Sequence, residues 1–262
     1  MPKRGLGIDV YQAAQERIAF TFDNFERIYL SFSAGKDSTV MLHMVMAEAR
    51  RRNRKIGLLF IDWECQISLT IDFAKAMFRE YADCCEPYWV ALPMKTWNAC
   101  SQIEPEWTAW DENKSDLWVR QPEPESITDK SFFPFYHDSM PFEEFVPAFA
   151  AWYSQGKSCA CFVGIRADES LNRFRTVARS DKPTYQGKMW TTHVEMDAWN
   201  VYPIYDWQTA DVWRYLGKFD LPYNKLYDRM HQAGMKISQM RICEPFGDEA
   251  RCHGDADKAK PT

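Results

Sequence analysis

A cluster of small and charged residues follows the first apolar run of the chain. The stretch from Tyr29 to Thr39 reads YLSFSAGKDST, and between β-formers and a helical pattern it holds six such residues: Ser33, Ala34, Gly35, Lys36, Asp37 and Ser38. The first N–H groups of a helix lack partners and carry partial positive charge, so such a junction binds anions. Glycine permits close backbone approach, the serines add hydroxyl donors and the lysine adds a full charge. The stretch therefore predicts a phosphate or sulfate site.

Three roles are open to Asp37: a helix cap, a group that orients Lys36, or a neighbour of Mg²⁺. The stretch is not a Walker A loop, because that pattern requires glycine where Leu30 stands. The competing interpretation is a plain strand-to-helix turn with a capping serine and a solvated lysine.

A second polar string lies in the second half of the chain. GIRADESLNR, from Gly164 to Arg173, directly follows an apolar run. Arg166 and Arg173 carry planar guanidinium groups suited to bidentate phosphate or sulfate contacts, and Ser170 adds a donor. The alternative is a solvated helix whose arginines pair with neighbouring acids. The position of the whole string at a strand end favours an anion site.

Strands and helices alternate around these two strings. Apolar runs predict strands, and patterns with one apolar face predict the helices between them. The predicted strands are 28–33, 56–61, 88–92, 158–165 and 201–205, and the predicted helices are 8–25, 39–52, 66–81, 142–154 and 209–219. This order predicts an α/β fold with a doubly wound, mostly parallel, five-stranded sheet whose ligands bind beyond the carboxyl ends of the strands. Asp62 ends the second strand, where it either meets a ribose or adenine or simply terminates the strand.

Residues 93–141 break the alternation. Prolines, acids and scattered tryptophans replace periodicity there, which predicts a lid or substrate-side insertion with little regular structure. The tryptophans at 97, 107, 110 and 118 form either a stacking platform for a base or a small core of the insertion.

Composition limits the classes of protein that remain. The chain has 262 residues, a formal net charge of −5, 46% apolar residues and 26% charged residues, which is typical of an ordinary globular protein. The net charge gives no reason to expect nucleic acid as a partner. The basic EARRRNRK segment, residues 48–55, is either a nucleic-acid patch or a solvated helix end, and we favour the helix end. No leader or membrane-length apolar run is visible, so we expect a cytoplasmic protein with eight reduced cysteines.

The two polar strings resemble those of a known superfamily. SAGKDS resembles the PP-loop S-x-G-x-D-S of the adenine nucleotide alpha hydrolases, with Ala34 where a glycine is usual. GIRADESLNR is similar to the G-[LIV]-R-x-x-[EQ]-S-x-x-R string of phosphoadenosine phosphosulfate (PAPS) reductases. YPIYDWQTADVWRYL and LPYNKLYD resemble later strings of the same family. The strings FIDWE, YWVALP and RICEPFG narrow the resemblance to bacterial proteins of the immunoglobulin-binding regulator A type.

The resemblance implies one PAPS reductase-like domain over residues 1–262, ending in a polar tail at 248–262. It implies binding of ATP or PAPS, with Mg²⁺ as a further candidate, and chemistry at the phosphate or phosphosulfate chain. The implied binding residues are Ser33, Ala34, Gly35, Lys36, Asp37, Ser38, Asp62, Gly164, Arg166, Ser170 and Arg173, of which Lys36, Asp37, Arg166 and Arg173 are catalytic.

Pyrophosphate-releasing adenylation is favoured over sulfonucleotide reduction, because the reductase segment E-C-G-[LI]-H is absent from the sequence. The reductase alternative would use a late cysteine, Cys243 or Cys252. A second alternative is a nucleotide-sensing regulatory module that works with a ParB/sulfiredoxin-like protein. The sequence leaves the acceptor open, and an oligomer is compatible with it.

Overall fold

The structure is a computed structural model, and it describes residues 7–242 except positions 99, 102 and 180. Helices and strands alternate through most of this part of the chain. The helices are α1 (Val10–Asn24), α2 (Lys36–Arg51), α3 (Ser68–Glu80), α4 (Phe142–Ser154), α5 (Leu171–Ala178), α6 (Thr209–Lys218) and α7 (Leu226–Gln232). The strands are β1 (Arg27–Phe32), β2 (Ile56–Ile61), β3 (Cys85–Val90), β4 (Met94–Trp97), β5 (Glu106–Ala109), β6 (Met140–Pro141), β7 (Cys159–Val163), β8 (Thr191–Glu195) and β9 (Ala198–Val201).

The central sheet has six strands in the order β3-β2-β1-β7-β9-β8. The first five are parallel to their neighbours, and β8 pairs antiparallel with β9 at one edge. The chain moves from β1 outward to β3 and then returns to β7 on the other side of β1. The carboxyl ends of β1 and β7 therefore flank the switch point of the sheet, where doubly wound folds bind ligands.

Two apolar layers cover the faces of this sheet. Alternate residues of β1 point to opposite faces, so that Leu30 and Phe32 pack in the layer with α1 and α2, and Tyr29 packs in the layer with α4. Both faces of the parallel strands are thus buried, which explains their nearly continuous apolar sequence. Cys159 and Cys161, two residues apart on β7, both pack in the layer with α4.

The sequence predicted the α/β class and most element positions correctly. Two strand predictions need correction. The sheet has six strands rather than five, because the edge strand β8 was missed. The run 201–205 is not a strand: the chain pairs with β7 over 198–201 and then turns. Both errors concern β8 and β9, at one end of the sheet, where the strands are short and only partly buried, so their apolar signal is weak.

Residues 93–141 contain more regular structure than the sequence suggested. β4 pairs antiparallel with β5 and parallel with β6, which forms a second, three-stranded sheet. Trp110 is buried, and Trp107 and Trp118 pack against the same apolar cluster, whereas Trp97 is exposed. Three of the four tryptophans therefore have a packing role, but in the apolar layer of the central sheet and α4 rather than in a separate core of the insertion.

The arginines at the end of α2 are bound to acidic neighbours. Arg51 and Arg52 contact Glu48, and Arg50 contacts Asp83 and Glu80. This arrangement supports the solvated helix end over a nucleic-acid patch. Among the described helices, none is both long and apolar enough to cross a membrane.

Candidate functional site

The loop between β1 and α2 is closed by its own hydrogen bonds. The hydroxyl groups of Ser33 and Ser38 lie 3.0 Å apart, and Ser38 Oγ donates to the carbonyl oxygen of Gly35 at 3.0 Å. Gly35 is the N-cap of α2 and gives the helix no side-chain cap. Ala34 adopts a left-handed conformation with φ of 57°, which costs an alanine roughly 1 kcal/mol. The alanine is thus accommodated at a backbone position that glycine would occupy without strain.

Lys36 and Asp37 form the first turn of α2, and both are buried. The Lys36 ammonium lies 3.1 Å from Asp37 Oδ2, while Asp37 Oδ1 accepts a hydrogen bond from Arg166 Nε at 2.5 Å. Since Gly35 is the N-cap, Asp37 does not cap the helix. It joins Lys36 to Arg166, which matches the orienting role among the three that the sequence left open.

The GIRADESLNR string extends this ion-pair network. Glu169 Oε2 accepts from Arg173 Nη1 at 2.5 Å, and Glu169 Oε1 lies 3.9 Å from Arg166 Nη2. Arg241 Nη2 donates to the main-chain oxygen of Glu169 at 2.5 Å. Together with Lys36 and Asp37, the network brings four cationic side chains around two carboxylates. This excess of positive charge beside a helix N-terminus suits an anionic ligand.

Gly164 and Ser170 have structural contacts in this network. A Cβ atom at Gly164 would lie 2.8 Å from Ser38 N and 2.9 Å from the carbonyl carbon of Asp37, so only glycine lets the end of β7 pack against the loop. Ser170 is the N-cap of α5, and its hydroxyl accepts from Arg173 N at 3.2 Å. Direct ligand contacts from these two residues remain predictions.

Asp62 lies at the carboxyl end of β2 and is 1% exposed. Its carboxylate accepts hydrogen bonds from Trp89 Nε1 at 2.8 Å and Glu64 N at 3.0 Å, and it forms an ion pair with Arg120. Asp62 therefore anchors the 93–141 segment to the central sheet. Its predicted contact with a ribose or adenine would have to share a carboxylate that three protein groups already use.

Glu64 makes a second attachment to the same segment. Its carboxylate accepts from Trp110 N at 2.8 Å, and burial raises the pKa of this side chain. The indole N–H of Trp110 donates in turn to the main-chain oxygen of Asp62 at 2.6 Å. The 93–141 segment is thus held at the carboxyl ends of the parallel strands, where the ion-pair network also lies.

Two polar residues of LPYNKLYD contact the loop between β1 and α2, although the sequence indicated no role for either. Tyr227 accepts the Lys36 N–H at 2.8 Å, and burial raises the pKa of its hydroxyl well above the usual range. Asn224 donates to the Ala34 carbonyl oxygen at 3.3 Å and to Thr70 Oγ1 at 3.0 Å. The available signal was the string itself, but nothing in it shows which loop the two side chains reach.

The cysteines of the described residues give no sign of a reactive thiol in the network. Cys84 and Cys85 are buried, and burial raises the pKa of Cys85 to about 11 and that of Cys161 to about 12. Cys243 and Cys252, the candidates for a redox role, lie outside the described residues, as does the tail at 248–262. No group of three or more His, Cys, Asp or Glu side chains in the described part is arranged to hold a metal ion.

The fold and the site define a doubly wound α/β protein with a cationic PP-loop at its switch point. The model of the phosphoadenosine phosphosulfate reductase domain family matches residues 27–236. The chain belongs to this family, as the sequence strings indicated.

Two curated relatives extend this comparison. Protein YbdN of Escherichia coli strain K12 is 46% identical over 249 residues, which cover 94% of this chain and 61% of the relative. Sulfate adenylyltransferase subunit 2 of Rhizobium tropici is 24% identical over 217 residues, which cover 78% of this chain and 58% of the relative. The chain thus spans about three fifths of the length of each.

Solved structures overlap this chain only in part. The phosphoadenylyl-sulfate reductase of Candida auris, in a phosphate complex, gives a TM-score of 0.48 at 16% identity and covers 86% of both chains. The FMN adenylyltransferase of Candida glabrata gives 0.49 at 15% identity, covering 83% of this chain and 57% of the other. Neither overlap bears on the activity of this chain.

Proposed function

We propose that the protein binds an adenine nucleotide, ATP or PAPS, with the phosphate chain against the loop between β1 and α2. One observation carries the proposal: beside the N-terminus of α2, three cationic side chains meet two carboxylates, and Arg241 joins them through the main-chain oxygen of Glu169. Charge-assisted hydrogen bonds to phosphate are the strong contacts that such a set can provide. Membership of the PAPS reductase domain family supports an adenine nucleotide as the class of ligand.

The reaction we favour within this proposal is adenylation with release of pyrophosphate. Lys36, Arg166 and Arg173 would stabilise negative charge on the departing phosphates, which is the main task of a protein in phosphoryl and nucleotidyl transfer. Asp37 would hold Lys36 and Arg166 in place. Mg²⁺ would be bound mainly by the phosphates, with Asp37 as the nearest carboxylate of the loop.

Binding is tested by calorimetry with ATP and PAPS on the wild type and on Lys36→Met. The substitution removes the charge and keeps an apolar stem at a buried position. We expect affinity to fall at least about tenfold, since a hydrogen bond to a charged group contributes about 1.5–3 kcal/mol. Lys55→Ala is the matched control. It removes an exposed cation just before β2, at the amino ends of the parallel strands, whereas the loop lies at their carboxyl ends. Equal binding by all three proteins would refute the site.

The reaction is tested by two product assays. Release of pyrophosphate from ATP by the pure chain, with sulfate and other acceptors supplied in turn, supports adenylation. Release of sulfite from PAPS in the presence of thioredoxin would instead establish the reductase alternative.

A nucleotide-sensing module is the second candidate, and one observation favours it. The main donors of Lys36 already have partners within the chain, because its N–H contacts Tyr227 and its ammonium contacts Asp37 and Met240. Such a loop is ordered without turnover of a substrate. The proposed partner is a ParB/sulfiredoxin-like protein, as the likeness to immunoglobulin-binding regulator A type proteins suggests. Co-purification with that partner that depends on ATP, without product formation, would establish this candidate.

A further inference from the structure

The last described residues of the chain lie on the PP-loop. The main-chain oxygen of Met240 accepts a hydrogen bond from Lys36 Nζ at 3.2 Å. The backbone of Ile242 hydrogen-bonds the Tyr227 hydroxyl, and its carbonyl oxygen lies 3.6 Å from where a Cβ on Gly35 would be. We call residues 240–242 the strap.

The strap uses the groups that an anion would use. An ammonium group has three donors, and on Lys36 the Met240 carbonyl takes one while Asp37 takes another. The main-chain N–H of Lys36, at the first position of α2, already donates to the Tyr227 hydroxyl. A carbonyl oxygen carries partial negative charge, so the strap presents to Lys36 a neutral substitute for a phosphate oxygen. A phosphate bound to Lys36 would compete with that carbonyl.

Two contacts hold the strap in place. The Met240 side chain is 2% exposed and packs with Leu226, Tyr227 and Met230 in a small apolar cluster. Arg241 reaches the main-chain oxygen of Glu169 at 2.5 Å and thereby joins the cation network. The first contact fixes the carbonyl over Lys36, and the second places a guanidinium group at the edge of the network.

We propose that the strap is a built-in competitor of the nucleotide. In the free protein it covers Lys36; when a phosphate chain binds, the Met240 carbonyl leaves and Arg241 turns from Glu169 to the phosphates. The apparent affinity is then the intrinsic affinity reduced by the fraction of molecules with an open strap. This inference rests on the proposed function, because it requires a nucleotide at the loop.

The test weakens the apolar anchor of the strap and leaves the loop unchanged. Met240→Ala should raise the apparent affinity for ATP about threefold or more, because it increases the open fraction. Met235→Ala is the matched control: Met235 packs against the same cluster, and no hydrogen bond to Lys36 comes from it. Its affinity for ATP should stay at the wild-type value. Weaker binding by Met240→Ala, or equal binding by all three proteins, would overturn the competitor role.

Hydrogen exchange on the wild-type chain gives a second readout that needs no variant. Addition of ATP should speed the exchange of amides in the strap and slow the exchange of amides in residues 33–38. Slower exchange in both segments would show that the strap closes over the nucleotide, and this would overturn the proposal. If ATP, PAPS and pyrophosphate bind neither the wild type nor Met240→Ala, the proposed function fails and the strap proposal fails with it.

Discussion

Replacement of Gly164 by alanine tests whether β7 and the PP-loop touch as closely as the structure shows. The new Cβ atom would lie 2.8 Å from Ser38 N and 2.9 Å from the carbonyl carbon of Asp37. Both atoms belong to the backbone, so no flexible side chain can move aside. The two segments would have to separate by roughly half an ångström to restore ordinary contact in a close-packed interior. Overpacking of this kind costs about 1–3 kcal/mol.

Urea unfolding measures this cost. Gly164→Ala should lower the midpoint of unfolding without changing the slope, and it should weaken ATP binding because the separation moves the first turn of α2 away from Arg166. Gly217→Ala is the matched control: Gly217 lies within α6, and nothing lies within 4 Å of an added Cβ. That variant should be neutral or more stable by up to about 1 kcal/mol, since alanine is the better helix former.

Two outcomes would contradict this expectation. If Gly164→Ala unfolds at the wild-type urea concentration and binds ATP with the wild-type affinity, the two segments are not in contact in solution. A loss of stability that is equal in Gly164→Ala and Gly217→Ala would also contradict it, because only the first position is crowded.

Three further predictions concern residues outside the PP-loop. Burial lowers the pKa of His43, so the unfolded chain binds its proton more readily; the free energy of unfolding should fall as the pH drops below 6.5, and His43→Gln should flatten this slope in urea titrations. Arg17→Met should lower the free energy of unfolding by about 2 kcal/mol or more, because it leaves Asp206 without its bidentate partner; an unchanged melting temperature would contradict this. Arg120→Ala should cost about 3 kcal/mol by leaving a buried Asp62 charge unpaired, and adding Asp62→Asn should recover part of that loss in a double-mutant cycle.

The class of fold and the two strings of the site can be recognised from the order of the residues alone. A continuous apolar run such as 56–61 indicates a strand that is buried on both faces. Because this signal is local, it predicts most strands of the central sheet and the helices between them. The SAGKDS and GIRADESLNR strings likewise predict an anion site, because glycine, serine, lysine and arginine at strand ends suit anions. Periodicity failed at the weakly buried edge strand β8.

Which charges meet is known only from the folded chain. Asp37 and Arg166 are far apart in the sequence, and their contact exists because β1 and β7 are neighbours in the sheet. The same holds for Tyr227 at the loop, for Arg120 at Asp62 and for the strap over Lys36. A pairing between distant segments is fixed by the packing of whole layers, and no local pattern of residue types records it. The residue types that suit an anion can therefore be identified from the sequence, whereas the contacts between them depend on how the sheet and helices pack.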